Sequence, residues 1–362
     1  METSSLHSTP TRPTTPACRT LYVDTQGAVV RKRRGRLVVE KSHSGGPREV
    51  LASLPAAEVG QVLVAGSVQL TTQASRFLMR RGVTVTFLTQ SGRPRGRLVP
   101  EYHPDADRRL AQALASQRPP EHLSPARAFA RGKMRNMELL LRRRSEGPGS
   151  ETLRAAGRIE ALRAALESAE TVAGVRGYEG RATRLYFAQL DRLIQRDEPE
   201  FRFEKRSRRP PSNAVNALLG FFYALLQNDA HAGCLAAGLD PYVGLLHRPR
   251  HGVPALTLDL MDPFRPAVAD AALLGALNRG VFAPGDFEER RAEDMDEVGT
   301  YLTKEGRRKA VRAYTHRRTE RARDPATGER HPYHRLPEQQ ARHLARVLTG
   351  EDDRFTPFTL PQ

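Results

Sequence analysis

The residues best suited to chemistry stand in the segment DPYVGLLHRPRHGVPALTLDLMDPFRP, residues 240–266. It sets His247, Asp259 and Asp262 among glycines, prolines and apolar residues. The two aspartates are three positions apart, so on a helical turn both carboxylates would face one side. A histidine beside them would complete a mixed nitrogen and oxygen site that suits Mn²⁺ or Mg²⁺. The spacing leaves an alternative open, in which either aspartate caps a helix whose first turn contains Pro263.

A second unusual stretch, GVRGYEGRATRLYF, contains Glu179 between Gly177 and Gly180 in an otherwise helical pattern. Each glycine inside a helix costs roughly 1 kcal/mol relative to alanine. We therefore expect another backbone or a ligand to approach closely at this point. The simpler alternative is an exposed glutamate that makes an ordinary helix pair with Arg176 or Thr183.

A third stretch, RFEKRSRRPPSNAVN, combines a basic run with the start of a helix. Ser212 or Asn213 can cap the apolar helix that follows the two prolines. Basic side chains beside a helix N-terminus favour phosphate binding. A solvated basic loop has the same composition and remains the alternative. The basic residues before the cap are Arg202, Lys205, Arg206, Arg208 and Arg209.

The charge balance favours a polyanionic partner. The 362 residues include 58 Lys and Arg against 41 Asp and Glu, a formal net charge of +17. Nucleic acid is the expected partner, because each phosphate that Lys or Arg neutralises releases condensed counterions. Cys18 and Cys234 form no CxxC pair, which argues against a zinc knuckle. No apolar run approaches about 18 residues and no secretory signal is evident, so we expect a cytoplasmic protein without membrane contact.

The elements that must position these residues fall into two regimes. Residues 1–19, rich in Ser, Thr and Pro, are expected to be a disordered tail. Short β-type runs then predict an N-terminal β domain over residues 20–102. Helical spacing dominates residues 103–350 and predicts a larger, mainly α-helical catalytic domain, followed by a flexible tail over residues 351–362. The predicted fold class is therefore α+β.

Individual elements can be placed within these regimes. The predicted strands are 21–23, 28–30, 37–39, 62–64, 83–88 and 98–99. A helix at 71–81 should pack on the sheet and end at Gly82, and the basic run at 31–36 indicates an exposed hairpin turn. The predicted later helices are 106–116, 128–144, 153–170, 176–194, 214–227, 267–277 and 339–347, with a further basic helix covering much of 307–323.

Taken together and in this order, these stretches resemble the universal integrase/endonuclease family of CRISPR adaptation. In the β domain the resemblance is carried by LYVDTQGAVV and GSVQLTTQASRFLMRRGVTVTFLTQSGRPRGRLVP. It continues in GYEGRATRLYF, RRPPSNAVNALLGFFYALL, PYVGLLHRPRHGVPALTLDLMDPFRP and YLTKEGRRKAVRAY. These marks extend from residue 20 to about residue 350, nearly the whole chain.

The resemblance implies a metal-dependent DNA endonuclease and integrase that inserts short foreign DNA fragments into a CRISPR array. A 3′-hydroxyl would attack a repeat phosphodiester, and water would replace it in hydrolysis. The family's metal ligands fall on Glu179, His247 and Asp262, which would hold Mg²⁺ or Mn²⁺. Asp259 is the acidic neighbour, and Asn216 is a further candidate for support.

The resemblance also implies partners: double-stranded DNA fragments, the CRISPR repeat, a second copy in a homodimer and a small ferredoxin-like companion subunit. His251 matches no ligand and is expected on the surface or the DNA side. The candidate DNA-binding residues are Arg181, Arg184, Arg206, Arg208, Arg209, Arg248 and Arg250.

The chain departs from the family at its ends and at one turn. Residues 1–19 precede the usual start, the ending FTPFTLPQ has no match, and many members have Asp-Pro at residues 212–213. Two other classes of protein remain as alternatives. Charge alone would suit a non-catalytic DNA-binding scaffold, and a related transposase or repair nuclease would share the same active site.

Overall fold

Short strands form most of the first part of the chain. The structure is a computed structural model that describes residues 19–43, 47–89, 94–100, 105–208, 210–291 and 297–361. An α-helix, α1 (Thr72–Arg80), lies among these strands. The strands are β1 (Arg19–Val23), β2 (Ala28–Arg33), β3 (Arg36–Lys41), β4 (Glu49–Pro55), β5 (Val59–Ala65), β6 (Gln69–Leu70), β7 (Val85–Leu88) and β8 (Pro94–Leu98).

These strands form two four-stranded sheets in the described part of the chain, with the orders β1-β5-β7-β8 and β4-β3-β2-β6. Strands β1, β5 and β7 are parallel, and β8 is antiparallel to β7. Successive β5 side chains point to opposite faces. Val62 and Val64 lie in a core formed by residues 21–98, whereas Leu63 and Ala65 join the core of the helices. Strand β5 is therefore buried on both faces and connects the two parts of the fold.

A two-residue turn joins β2 to β3. Arg34 and Gly35 both have positive φ angles, 42° and 75°, as the commonest hairpin turns require. This confirms the exposed basic hairpin turn predicted for residues 31–36. The sequence pattern missed β4, an edge strand that leaves Val50 and Leu51 exposed and therefore lacks a regular alternation of buried and exposed residues.

The predicted helix at 71–81 is confirmed. The Thr71 hydroxyl accepts the N–H of Ala74 at 3.3 Å, and Gly82, at a φ of 70°, follows the end of the helix. Ala74 and Leu78 are buried in the first core. The helix therefore packs on the sheet, as its apolar face predicts.

Helices dominate the described residues after 105. They are α2 (Ala106–Gln117), α3 (Pro119–Arg143), α4 (Glu151–Ala165), α5 (Val172–Phe187), α6 (Ala214–Ala236), α7 (Ala255–Met261), α8 (Ala271–Asn278), α9 (Lys304–Thr319) and α10 (Leu336–Leu348). Two antiparallel hairpins also occur here: β9 (Phe287–Arg291) pairs with β10 (Val298–Leu302), and β11 (Arg321–Arg323) with β12 (Arg330–Pro332). A π-helical turn, Arg265–Asp270, connects the end of α7 to α8. The order of strands followed by helices confirms the predicted α+β class.

Residues 355–360 are anchored, so the expectation of a flexible tail over residues 351–362 was wrong for this part. Phe358 is fully buried and stacks on Phe264 with ring centroids 4.7 Å apart. The backbone N–H of Leu360 donates to Asn136 Oδ1 at 2.7 Å, and Asn136 Nδ2 donates to the carbonyl of Phe358 at 3.2 Å. This segment has no helical or strand period, which is why its burial was not evident from the pattern.

Part of the basic helix α9 is internal. Arg308 pairs with Asp24, the residue that follows β1, at 3.0 Å. Arg318, 2% exposed, pairs with Asp229 of α6 at 2.7 Å. The Arg308 pair therefore joins the two parts of the fold, whereas the Arg318 pair joins two helices of the second part. None of the helices in the described ranges has the length and apolar character that a membrane crossing needs.

Candidate metal and DNA site

The carboxylates of Glu179 and Asp262 converge on the ammonium group of Lys133. Lys133 Nζ lies 2.5 Å from Glu179 Oε1 and 3.2 Å from Asp262 Oδ2. The three side chains come from α3, α5 and the residue that follows α7. Their side chains are 9%, 18% and 1% exposed for Lys133, Glu179 and Asp262. Two of the three proposed metal ligands therefore meet around one buried positive charge.

A glycine allows α3 to reach this position. A Cβ atom on Gly132 would lie 2.8 Å from the Cβ of Pro357 and 3.3 Å from the Cγ of Pro263. The first distance is shorter than real Cβ contacts allow, so only glycine fits without displacing a neighbour. The close approach places Lys133 against the turn that carries Asp262.

Charged neighbours keep the carboxyl group of Asp262 ionised although it is buried. Burial raises the pKa of Asp262, but the charges of Lys133, Arg265 and His247 outweigh it and hold that pKa well below its usual range. Arg265 Nε donates to Oδ1 of Asp262 at 2.7 Å, so each carboxylate oxygen has its own cationic partner. An anionic carboxylate is the form that a metal ligand needs.

His247 is oriented by Asp259. The Nδ1 atom lies 2.7 Å from Asp259 Oδ1, and Asp259 also accepts the backbone N–H groups of Leu245, Leu246 and His247 at 2.6, 3.0 and 2.8 Å. A carboxylate on Nδ1 keeps the proton there and leaves Nε2 to bind a ligand. Burial lowers the pKa of His247, but the bond from Asp259 and the charges of Asp262 and Asp259 outweigh burial and raise it.

The two helix-cap alternatives do not hold. Helix α7 begins after Pro254, Asp259 lies within it, and Asp262 follows its last residue. The side chain of Asp259 binds the His247 loop, and that of Asp262 binds Lys133 and Arg265.

The pattern around Glu179 is only partly as expected. Thr183 Oγ1 donates to Glu179 Oε1 at 2.7 Å, so the ordinary helix pair exists alongside the contact with Lys133. The expected close approach of another backbone to Gly177 and Gly180 was wrong, because no described atom outside their own stretch of α5 lies within 4 Å of a Cβ placed on either, and the approach of a ligand stays a prediction. Both glycines instead leave open space on α5 beside the carboxylate.

The chemistry of the candidate ligands suits a divalent cation. Among the described residues no three His, Cys, Asp or Glu side chains are gathered closely enough to hold a metal ion. Glu179 and Asp262 converge instead on one positive charge, the Lys133 ammonium. Carboxylate oxygens with an imidazole nitrogen are a donor set suited to Mg²⁺ or Mn²⁺.

The predicted DNA-binding arginines separate into exposed and internal ones. Arg206 is internal: it donates to Asn216 Oδ1 at 2.9 Å and lies over the ring of Tyr223, 5.6 Å from its centroid. Asn216 is fully buried, and its Nδ2 binds the carbonyl of Lys205 at 2.9 Å, so it holds the basic loop. Arg209 lies outside the described residues. The exposed candidates are Arg181, Arg184, Arg208, Arg248 and Arg250.

Arg181 and Arg184 share a surface groove. They line an open cavity of 510 Å³ between α4 and α5 together with Arg158. Arg181 lies over the ring of Tyr178, 4.6 Å from its centroid. His251 is exposed, as expected for a residue that is not a ligand.

Sequence reasoning missed Lys133 and Arg265. One signal could have found Lys133, since it lies four residues from Phe129 and from Met137 on the buried face of α3. A lysine among apolar residues at helical spacing is rarely buried without a charged partner. Arg265 gave no such signal, because its role depends on the π-helical turn.

Comparison with known proteins gives the family. Residues 21–316 match the family described as CRISPR associated protein Cas1. The chain is 39% identical over 343 residues to CRISPR-associated endonuclease Cas1 1 of Thermus thermophilus. The aligned region covers 94% of this chain and 99% of that protein. It is 35% identical over 344 residues to a CRISPR-associated exonuclease Cas4/endonuclease Cas1 fusion of Geobacter sulfurreducens, and it spans only 60% of that fusion's length.

Two solved structures share the fold. A Cas1 protein from Thermotoga maritima has a TM-score of 0.74 at 24% identity, covering 95% of this chain and 99% of that one. A chain of a Cas6-RT-Cas1–Cas2 complex has a TM-score of 0.77 at 20% identity, covering 98% of this chain and 37% of that one. With the family match over most of the sequence, these findings confirm the resemblance: the chain belongs to the CRISPR-associated Cas1 family.

Proposed function

We propose that this chain is a metal-dependent integrase that joins short DNA fragments to a CRISPR repeat. Its relatives are named as endonucleases, and the chain is an enzyme of that class. The observation that carries the metal dependence is the convergence of Glu179 and Asp262 on a single positive charge in a largely buried site.

The proposed ligands are Glu179, His247 through Nε2, and Asp262, holding Mg²⁺ or Mn²⁺. When bound, the ion stabilises the negative charge that develops on the oxygens of the scissile phosphate. Asp259 holds the imidazole in one orientation and in the tautomer with the proton on Nδ1. Arg265 donates to Oδ1 of Asp262, so Oδ2 is the oxygen that would hold the ion.

The basic surface would bring the DNA backbone to these ligands. Arg181 and Arg184 are exposed on the same helix as Glu179, and Arg248 and Arg250 follow His247 within three residues. Contacts from these arginines to phosphates position the duplex without reading its sequence. The open space beside Gly177 and Gly180 leaves room for the backbone at Glu179.

The chemistry is a transesterification. The 3′-hydroxyl of a DNA fragment loses its proton and forms a bond to the phosphorus of a repeat phosphodiester. The bond from that phosphorus to the 3′ oxygen of the repeat strand breaks, and this oxygen takes up a proton. Water in place of the fragment's hydroxyl gives strand cleavage, the endonuclease reaction.

We also propose that the enzyme acts as a homodimer with a small ferredoxin-like companion subunit. The fold shared with one chain of a Cas1–Cas2 complex supports a similar architecture. The exposed basic groove on α4 and α5 supplies a surface for DNA in such an assembly.

A strand-transfer assay tests the proposal. The purified chain is incubated with a supercoiled plasmid carrying a CRISPR repeat and short duplexes with free 3′ ends, in Mn²⁺, Mg²⁺ or EDTA, with and without the companion subunit. Joining should require metal and should be lost in Glu179→Gln while DNA binding remains. The matched control is Glu160→Gln, an exposed glutamate of α4, which should join DNA normally. DNA binding without joining or cutting in every condition would indicate a non-catalytic scaffold.

A further inference from the structure

We propose that Lys133 is the internal counter-ion of the metal-free site and that a metal ion must displace its ammonium group to bind. The inference rests on the proposed function, because it concerns the same ligands. It makes Lys133 a positioning residue that holds the ligands together before metal arrives and sets how much metal is needed to load the site.

The ammonium group and the proposed metal ion would share one position. A single atom, Lys133 Nζ, lies 2.5 Å from Glu179 Oε1 and 3.2 Å from Asp262 Oδ2. Mg²⁺ lies about 2.1 Å from its oxygen ligands. An ion bound by these two oxygens would therefore stand in the space that the ammonium group fills, and both cannot be there together.

Oδ2 of Asp262 is the oxygen for which the ammonium group and a metal ion would compete. Arg265 Nε occupies Oδ1 of Asp262 at 2.7 Å, so the oxygen available to a metal is Oδ2. The Arg265 guanidinium also lies over the ring of Tyr223, 4.7 Å from its centroid. A planar group fixed in this way is harder to move than an ammonium on a four-carbon stem. Lys133, not Arg265, is therefore the cation that must leave.

Without metal, Lys133 balances the charge of two carboxylates of low exposure. The Asp262 side chain is 1% exposed and that of Glu179 is 18% exposed. Buried carboxylates close to one another repel, and each must be paired or take up a proton. The ammonium pairs with both, so its loss should destabilise the metal-free protein.

The opposite effect is expected once metal is present. Removing Lys133 eliminates both the competition for Oδ2 and a positive charge beside the incoming ion. Divalent metal should then bind more tightly, and it should stabilise the variant more than the original protein, since a ligand that binds the folded state raises its stability.

The test compares the full chain with Lys133→Met and Lys133→Gln. Mn²⁺ affinity is measured by isothermal titration calorimetry, and thermal unfolding is followed in EDTA and in saturating Mn²⁺. We expect both variants to bind Mn²⁺ at least about tenfold more tightly. In EDTA the Tm of each variant should be lower than that of the original chain. Saturating Mn²⁺ should raise the Tm of each variant by more than it raises the Tm of the original chain.

The control is Lys309→Met. Lys309, on α9, pairs through Nζ with Asp286 Oδ2 at 2.7 Å. This is a comparable lysine–aspartate pair that does not contact the proposed ligands. The Lys309→Met variant should be less stable than the original chain but should bind Mn²⁺ with the same affinity. The glutamine variant keeps a hydrogen-bond donor at residue 133, so a folding defect of the methionine variant alone does not decide the result.

Two contrary results have different meanings. If the original chain binds Mn²⁺ and the Lys133 variants bind it equally or more weakly, the inference is wrong while the metal site stands. If neither the original chain nor the Lys133 variants bind Mn²⁺, the proposed metal site itself is wrong, and the inference with it.

Discussion

Asp259 Oδ1 lies 2.7 Å from His247 Nδ1 and also accepts the backbone N–H of His247 at 2.8 Å. One buried carboxylate therefore fixes both the backbone and the ring of the same histidine. Orientation of a metal-binding imidazole by an outer carboxylate commonly determines how well that imidazole binds metal.

We expect Asp259→Asn to weaken Mn²⁺ binding by about 10–100-fold. The amide group cannot accept all the N–H groups that now reach the carboxylate, so stability should also fall by about 1–3 kcal/mol. Calorimetry with Mn²⁺ and denaturant unfolding measure the two effects. Asp197→Asn, at an exposed position, is the control. Unchanged metal affinity in Asp259→Asn would show that His247 does not contribute a ligand.

Gly132→Ala should destabilise the fold. The added Cβ would lie 2.8 Å from the Cβ of Pro357, and overpacking of this kind typically costs about 1–3 kcal/mol. Gly157→Ala is the control, since no described atom lies within 4 Å of its Cβ and α4 is helical there. That substitution should stabilise the protein by up to about 1 kcal/mol. Equal unfolding midpoints for the two variants would contradict the close approach of α3.

His231 should make the protein less stable in acid. Burial, with a smaller contribution from Arg97, lowers the pKa of His231 to about 4. The unfolded chain, with an ordinary pKa near 6.5, binds the proton first, so stability is lost as the pH falls from 6.5 towards 4. The full shift corresponds to at most about 3 kcal/mol.

The measurement is the unfolding free energy of His231→Gln against pH. The variant should lose less stability between pH 6.5 and 4 than the original chain does. His316→Gln, whose side chain is 77% exposed, is the control at a solvated position. A pH profile of His231→Gln parallel to that of the original chain would refute the role of the buried imidazole.

Arg206 and Arg248 should behave differently although both were predicted to bind DNA. Arg248 is exposed, so Arg248→Gln should weaken DNA binding and reduce the slope of log affinity against log salt by about one. Arg206 is bonded to Asn216, and Arg206→Gln should mainly lower the Tm. Fluorescence anisotropy across a salt series and thermal melts separate the two effects. A full change of salt slope in Arg206→Gln with an unchanged Tm would place that arginine on the DNA instead.

Local features were readable from the sequence. The turn within residues 31–36, the helix that ends before Gly82 and the change from strands to helices depend on neighbours a few positions apart, and backbone sterics and hydrogen bonding determine them locally. The spacing of Asp259 and Asp262 near His247 indicated a possible metal site, and the family resemblance then selected Glu179, His247 and Asp262 as the candidate ligands.

Tertiary structure alone decided how these groups meet. Lys133 reaches Glu179 across 46 residues and Asp262 across 129, and Asn136 reaches Phe358 across 222. Arg206 and Arg248 both lie in basic stretches of the sequence, yet Arg206 is internal and Arg248 is exposed. Burial depends on which elements pack together, which the composition of a stretch does not determine. Contacts of this kind form only when distant segments share a core, and hydrophobic periodicity describes each segment alone.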